Sequence, residues 1–206
     1  MNNNEQLILA NFKAISESNS KIGILVSGGI DSGLALFLLL KTITDNRLDR
    51  EIHACTVTKT PDAVENAIKI ISLISNKFSI PVKHHVVDSH FDSSEHTRHT
   101  AAGAIFLLNF VDIVISATNA IVSERILDDR DNPHRVSKTD PRVARPFLEY
   151  TKDVTISLAI KYELIDLLAN SHSCIKQSYS RCGSCYWCKE REWGFRKNNY
   201  QDPGTL

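Results

Sequence analysis

The segment Ser27-Gly28-Gly29-Ile30-Asp31-Ser32, set between two apolar runs, constrains the fold of this chain more than any other feature. The run before it, Ile22-Gly23-Ile24-Leu25-Val26, is short and suits a buried parallel strand. The run after it, Gly33 to Leu40, is long enough to begin a helix. The segment therefore falls on a strand-to-helix turn. Adjacent glycines let the backbone there take positive φ and turn successive N–H groups inward as an anion nest, and the positive end of the helix dipole faces the same point. Ser27 and Ser32 add hydroxyls, and Asp31 adds a carboxylate suited to Mg2+. This is a candidate pyrophosphate cradle, and it contains no lysine.

The Walker spacing Gly-x4-Gly-Lys-Ser/Thr and the dinucleotide pattern Gly-x-Gly-x-x-Gly are both absent here. A Gly-Ser linker would be the plain alternative, but strand, loop and helix signals coincide at one place. The rest of the chain repeats that rhythm. Leu7, Ile8, Phe12 and Ile15 give residues 4–18 one apolar helical face. Strands are predicted at Ile22 to Val26, Ile52 to Val57, Val82 to Val87 and Asp112 to Ala117. Helices are predicted from the loop to Thr44, from a Thr60-Pro61 start with Ala67, Ile70, Ile71 and Ile74 facing inward, from His96 to Phe110, and from Thr151 to Ala169. Such alternation predicts an α/β, Rossmann-like parallel sheet with helices on both faces. Residues 128–142 are charged, carry Pro133 and Pro141, and suit either a lid or an ordinary surface loop. From Asn198 onward the chain reads as a frayed end.

The 206 residues fit one domain with an appendage. Lys plus Arg and Asp plus Glu balance at 24 each, which argues against a large nucleic-acid footprint. No leader pattern opens the sequence, and its longest apolar run is far too short to span a bilayer, so a soluble cytoplasmic protein is expected. Four of the five cysteines cluster as Cys174-x7-Cys182-x2-Cys185-x2-Cys188. Four thiolates at these spacings can close a tetrahedral zinc site, and they can equally ligate an iron–sulfur cluster. Arg181, Lys189 and Arg191 are placed to offset their charge.

Arg98, Asn119, Glu124, Arg125 and Arg145 fall at strand or helix ends, on the side of a parallel sheet where ligands bind, and are candidates for substrate contact. His84, His85, His90, His96 and His99 are read as solvated or loop histidines rather than a second metal site. Cys55, mid-strand, is read as a buried structural thiol.

The SGG-x-D-S loop resembles that of the N-type ATP pyrophosphatases, which cut ATP between the α- and β-phosphates. The C-terminal block Cys182-Gly183-Ser184-Cys185-Tyr186-Trp187-Cys188-Lys189-x-Arg191 and the segment Arg145-Pro146-Phe147-Leu148, Thr151-Lys152 to Ile160 and Leu164 to Leu167 resemble 7-cyano-7-deazaguanine synthase. The similarity runs through residues 21–193 and is strongest at its two ends. It implies an ATP site along Val26, Ser27, Gly28, Gly29, Ile30, Asp31, Ser32, Gly33, Leu34, Ala35 and Leu36, with Ser27, Asp31 and Ser32 at the chemistry and Mg2+ on Asp31. It implies structural Zn2+ on Cys174, Cys182, Cys185 and Cys188. It also implies an ATP-dependent ligase that turns a 7-deazaguanine carboxylate and ammonia into a nitrile; a homodimer is the candidate assembly. Another amidating or thiolating enzyme, or a non-catalytic nucleotide-binding module, would share the same two signatures. The expected division is an N-terminal helix over 1–20, an ATP-pyrophosphatase α/β domain over 21–150, and C-terminal helices with the knuckle over 151–206. The middle departs from the family: Thr56-Val57-Thr58-Lys59-Thr60-Pro61 stands where a Gly-Gln stretch is usual. His96-Thr97-Arg98-His99 likewise keeps only the arginine of Pro-Gly-Arg-Asn.

Overall fold

The computed structural model describes residues 3–88, 96–122, 140–177 and 180–204. Its elements follow the order α1 (Asn3–Ser18), β1 (Lys21–Leu25), α2 (Ile30–Asp45), β2 (Glu51–Val57), α3 (Ala63–Phe78), β3 (Val82–Val87), α4 (His96–Leu107), β4 (Ile113–Ile115), β5 (Val143–Ala144), α5 (Lys152–Lys161), α6 (Ile165–Asn170) and α7 (Tyr186–Lys197). The five strands form one sheet in the order β3-β2-β1-β4-β5, and every pairing is parallel. Ile24 stands beside Ala54 on one side and Ile115 on the other. The order reverses between β1 and β4, which is where an open parallel sheet leaves a crevice for ligands.

Strand alternation divides the core between the two faces. Ile22, Ile24, Ile52 and Ala54 belong to the larger core, which α1, α2, α3, α5 and α6 complete with Ile8, Phe12, Leu36, Ile70, Ile156 and Leu168. Cys55, Val57 and Val114 belong to the smaller core, completed by Ala104 and Leu107 of α4. Helix α2 is buried nearly all round, which explains its unbroken apolar sequence.

Several elements differ from their sequence readings. Thr60 does not cap a helix: the Ala63 N–H donates to the Thr60 carbonyl in a turn, and α3 begins at Ala63 with Asp62 as its N-cap residue. The proline's fixed φ suits that turn as well as it suits a helical start. The single helix expected over 151–169 is two, α5 and α6, broken where Glu163 adopts φ 54° and the Leu164 N–H donates to the Ala159 carbonyl. Strand β5 and helix α7 lie in stretches whose local pattern carried no strand or helix signal. Residues 198–204 are anchored rather than frayed. Arg191 donates to Asp202 from Nε and Nη2, both at 2.7 Å, and Arg181 also donates to Asp202. The expected lid falls over 128–139 on residues outside those described. No described helix is long and apolar enough to cross a membrane.

Candidate nucleotide site and cysteine centre

The loop after β1 takes its shape from one glycine. Gly28 adopts φ 78°, and a Cβ there would stand 2.6 Å from Asn66 Cβ on α3, so a side chain is excluded both by conformation and by space. Gly29 is extended, with φ −87°, and serves as the N-cap residue of α2. The positive φ expected of two glycines thus belongs to Gly28 alone. The Gly28 carbonyl accepts from the His172 N–H at 2.9 Å. His172 also faces the buried Asp62 carboxylate at 3.3 Å, which ties the loop to the segment leading into the cysteine block.

Ser32 is a staple of the loop itself. Its hydroxyl donates to the Gly29 carbonyl at 3.1 Å and accepts from the Ser27 N–H at 3.2 Å. Ser27 is exposed beside it. Val26 bonds to β2 through its backbone, and Leu34, Ala35 and Leu36 are wholly buried in the larger core. Those four positions are buried behind the loop. Gly33 lets α2 pack closely on Leu167 and Ile70.

Asp31 is the centre of a buried polar network that the sequence reading did not assemble. Lys152, at the first turn of α5, pairs with its Oδ2. Thr155 Oγ1 donates to Oδ1 at 2.8 Å, and Asn119 Nδ2 donates to the same oxygen at 3.0 Å. The lysine missing from the loop is therefore delivered from 121 residues away. Its Nζ also lies 3.7 Å from Glu190 Oε2 on α7. Burial opposes the Lys152 charge, but Asp31 and Glu190 outweigh it and hold the ammonium above the ordinary lysine range. The one local signal for this set is the spacing Lys152/Thr155, which puts both on one helical face.

Of the substrate candidates, Asn119 is brought to Asp31 and is buried, and its Oδ1 has no hydrogen-bond partner among the described residues. Arg145 follows β5, and its buried Nε likewise has none. Arg98 is exposed on the first turns of α4. Glu124 and Arg125 lie outside the described residues. Beside the loop a small cavity of about 30 Å3 is lined by Ser27, Cys55, Lys59, His99 and Thr100. Burial draws the Lys59 ammonium down to about 8 and pushes the Cys55 thiol up to about 12, so Cys55 is the structural thiol expected. The histidines are less solvated than their sequence suggests. His99 is fully buried, His84 Nε2 lies 2.8 Å from Thr56 Oγ1, and His85 Nε2 lies 2.9 Å from His53 Nδ1 beside Phe110. His90 and the side chain of His96 fall outside the described residues.

The four sulfurs of Cys174, Cys182, Cys185 and Cys188 lie within 4.8 Å of one another, with the last turn before α7 carrying Cys185 as N-cap residue. Gly183, at φ 65°, makes the tight turn between two of them. A tetrahedral ion with sulfur at about 2.3 Å sets sulfur–sulfur edges near ~3.8 Å, so this set fits one ion, whereas a four-iron cluster would hold the sulfurs farther apart. A hydrogen bond with Cys188 draws the Cys185 thiol down to about 4. The cations named from sequence serve elsewhere. Arg181 and Arg191 clamp Asp202, and Lys189 pairs with Glu192 at 3.3 Å.

Comparison with known proteins adds two findings. The sequence model of the queuosine biosynthesis protein QueC matches residues 115–199, less than half of the chain. No curated protein matches it by sequence. Among solved structures, NMN synthetase from Francisella tularensis is 13% identical with a TM-score of 0.51, over 98% of this chain and 88% of that one. The U34-tRNA thiolase NcsA from Methanococcus maripaludis, solved with its [4Fe-4S] cluster, is 14% identical with a TM-score of 0.52, over 95% and 73%. NAD+ synthetase from Burkholderia pseudomallei is 14% identical with a TM-score of 0.51, over 78% and 67%. At these identities the structural likeness is one of fold.

Proposed function

We propose, from the premise that the chain is a QueC-like ATP pyrophosphatase of the PP-loop fold, that it is an ATP-dependent carbon–nitrogen ligase acting on 7-carboxy-7-deazaguanine. One observation carries the reading. The segment matched by the QueC family holds Asn119, Lys152 and Thr155, the three partners of Asp31, together with all four cysteines. The match and the loop, which lies outside it, thus meet at a single carboxylate.

In this reading the acceptor carboxylate oxygen attacks the α-phosphorus of ATP, and pyrophosphate departs toward the loop N–H groups and the N-terminus of α2. Ammonia displaces AMP from the acyl-adenylate to give the amide. The amide oxygen attacks the α-phosphorus of a second ATP, releasing pyrophosphate, and loss of both amide N–H protons and of AMP leaves the nitrile. The protein's work is to position and to stabilise charge. Ser27 and the loop amides hold the leaving group. Asp31 would hold Mg2+, which neutralises charge on the phosphates. Asn119 and Arg145, with their unpartnered Oδ1 and Nε, would contact the acceptor, with Arg98, Glu124 and Arg125 around them. Cys55, the cysteine outside the cluster, is buried in the smaller core, which counts against it as a sulfur-transfer nucleophile.

Incubation with ATP, Mg2+, ammonia and the 7-carboxy substrate should give AMP, pyrophosphate and the nitrile mass. With ¹⁸O in the acceptor carboxylate, one labelled oxygen should appear in AMP. ADP as the main nucleotide, or label in orthophosphate, would remove the adenylation mechanism. We assign the cysteine centre to structural zinc on its sulfur spacing. Elemental analysis should return about one zinc per chain; iron with a visible charge-transfer band would replace that assignment with a cluster.

A further inference from the structure

Asp31 is the carboxylate on which the nucleotide's cation is proposed to sit, yet both of its oxygens are engaged. Lys152 holds Oδ2, and Thr155 and Asn119 hold Oδ1. A cation can displace Lys152 from Asp31 only if the ammonium, 4% exposed, has another anion to go to, because a buried unpaired charge is strongly unfavourable. The phosphates of the nucleotide are one such anion, and Lys152 reaching them instead would leave the Mg2+ requirement of Glu190→Gln unchanged. Glu190 is the anion that the protein itself supplies. Its Oε2 already lies 3.7 Å from Lys152 Nζ, its Oε1 accepts from Tyr186 Oη at 3.2 Å, and its side chain is buried. The two helices involved pack closely at a glycine. A Cβ on Gly194 of α7 would come within 2.9 Å of Lys152 Cγ and 2.7 Å of Ile156 Cδ1 on α5. A side chain at position 194 would therefore push on Lys152 itself, and with glycine there the lysine's end lies within reach of both carboxylates.

We infer that Lys152 is handed between two carboxylates: it sits on Asp31 when the loop is empty and moves to Glu190 when Asp31 takes up the divalent cation of the nucleotide. This rests on the reading of Asp31 as that cation's anchor. No proton changes place. The empty site holds Asp31, Lys152 and Glu190 as two anions around one cation; the loaded site holds a Lys152–Glu190 pair and a cation-bound Asp31. Glu190 is a positioning residue, supplied by the helix that begins at the cysteine centre.

The test is calorimetric binding of α,β-methylene-ATP to the full zinc-loaded chain across a range of Mg2+ concentrations, with wild type and Glu190→Gln. Glutamine keeps the shape and the acceptor for Tyr186. The expected result is unchanged zinc content, unchanged affinity for the analogue without Mg2+, and a roughly tenfold rise in the Mg2+ needed for half-saturation, as for the loss of a directly coupled partner. An unchanged Mg2+ requirement overturns the hand-over. A second measurement stands whatever the variant's stability. In wild-type protein carrying ¹³Cε-lysine, the Lys152 resonance, identified by its absence in Lys152→Arg, should move when analogue and Mg2+ are added together and stay put with analogue alone. A resonance that never moves overturns the hand-over. If Asp31→Asn keeps the wild-type Mg2+ dependence, the anchor role of Asp31 fails. If Asp31→Asn loses that dependence and Glu190→Gln keeps it, the hand-over alone fails.

Discussion

Asp31→Asn should reduce AMP formation by at least about 100-fold and destabilise the fold by about 3 kcal/mol. The two effects come from one carboxylate. For activity, the loop offers no other carboxylate for a cation on the triphosphate. For stability, the substitution removes the anion against Lys152, a buried ammonium whose remaining partner, Glu190, stands at 3.7 Å. Sequence alone suggests a variant that is inactive and otherwise intact. The ion pair makes it inactive and weaker. Chromatography of the nucleotides reports the first effect and a urea titration the second. Full turnover at saturating Mg2+ would show that Asp31 does not anchor the cation. An unchanged urea midpoint would show that the Asp31–Lys152 pair contributes nothing in solution.

Asp202→Asn should cost about 3–5 kcal/mol, the range for removing one partner of a buried pair, and lower Tm by about 10 °C in a chain of this size. Arg191 is 1% exposed. It spends Nε and Nη2 on Asp202 and its other donors on Ser171 and Leu168, while Arg181 reaches the same carboxylate from beside the cysteine block. Asparagine would leave two guanidinium groups facing a neutral amide. Burial raises the Asp202 pKa, but the Arg191 hydrogen bonds and charge overcome it and hold it below the usual 3.8. The stabilisation is therefore present above pH 3.8 and is lost as pH falls through the lower, folded-state value. Wild type and variant should differ fully near neutrality and converge in acid. A constant gap at all pH values would place the effect in packing rather than in charge.

The glycine turn after β1 and the cysteine cluster were both legible because each is written in a few adjacent residues. Gly28 declares a positive φ, the run to Val26 declares a strand, and three cysteines at i, i+3 and i+6 declare a ligand set whatever surrounds them. Strands β2 and β3 and the buried face of α3 follow equally from local periodicity. The two-residue strand β5 was not legible, because Val143-Ala144 owe their pairing to β4 rather than to a pattern of their own. Nor was the end of the chain, where Asp202 looks like any terminal acid until two arginines meet it.

The sequence by itself determined a βα turn at Gly28 and a close-set group of cysteines, since turn chemistry and cysteine spacing act over a few residues. Only the tertiary structure decided what Asp31 touches. The β3-β2-β1-β4-β5 order brings the chain back past the C-terminal ends of β1 and β4, so that Asn119, Lys152 and Thr155 converge on one carboxylate from up to 124 residues away. No periodicity encodes such a meeting. It follows from which strand lies beside which, and from the need of a buried charge for a partner.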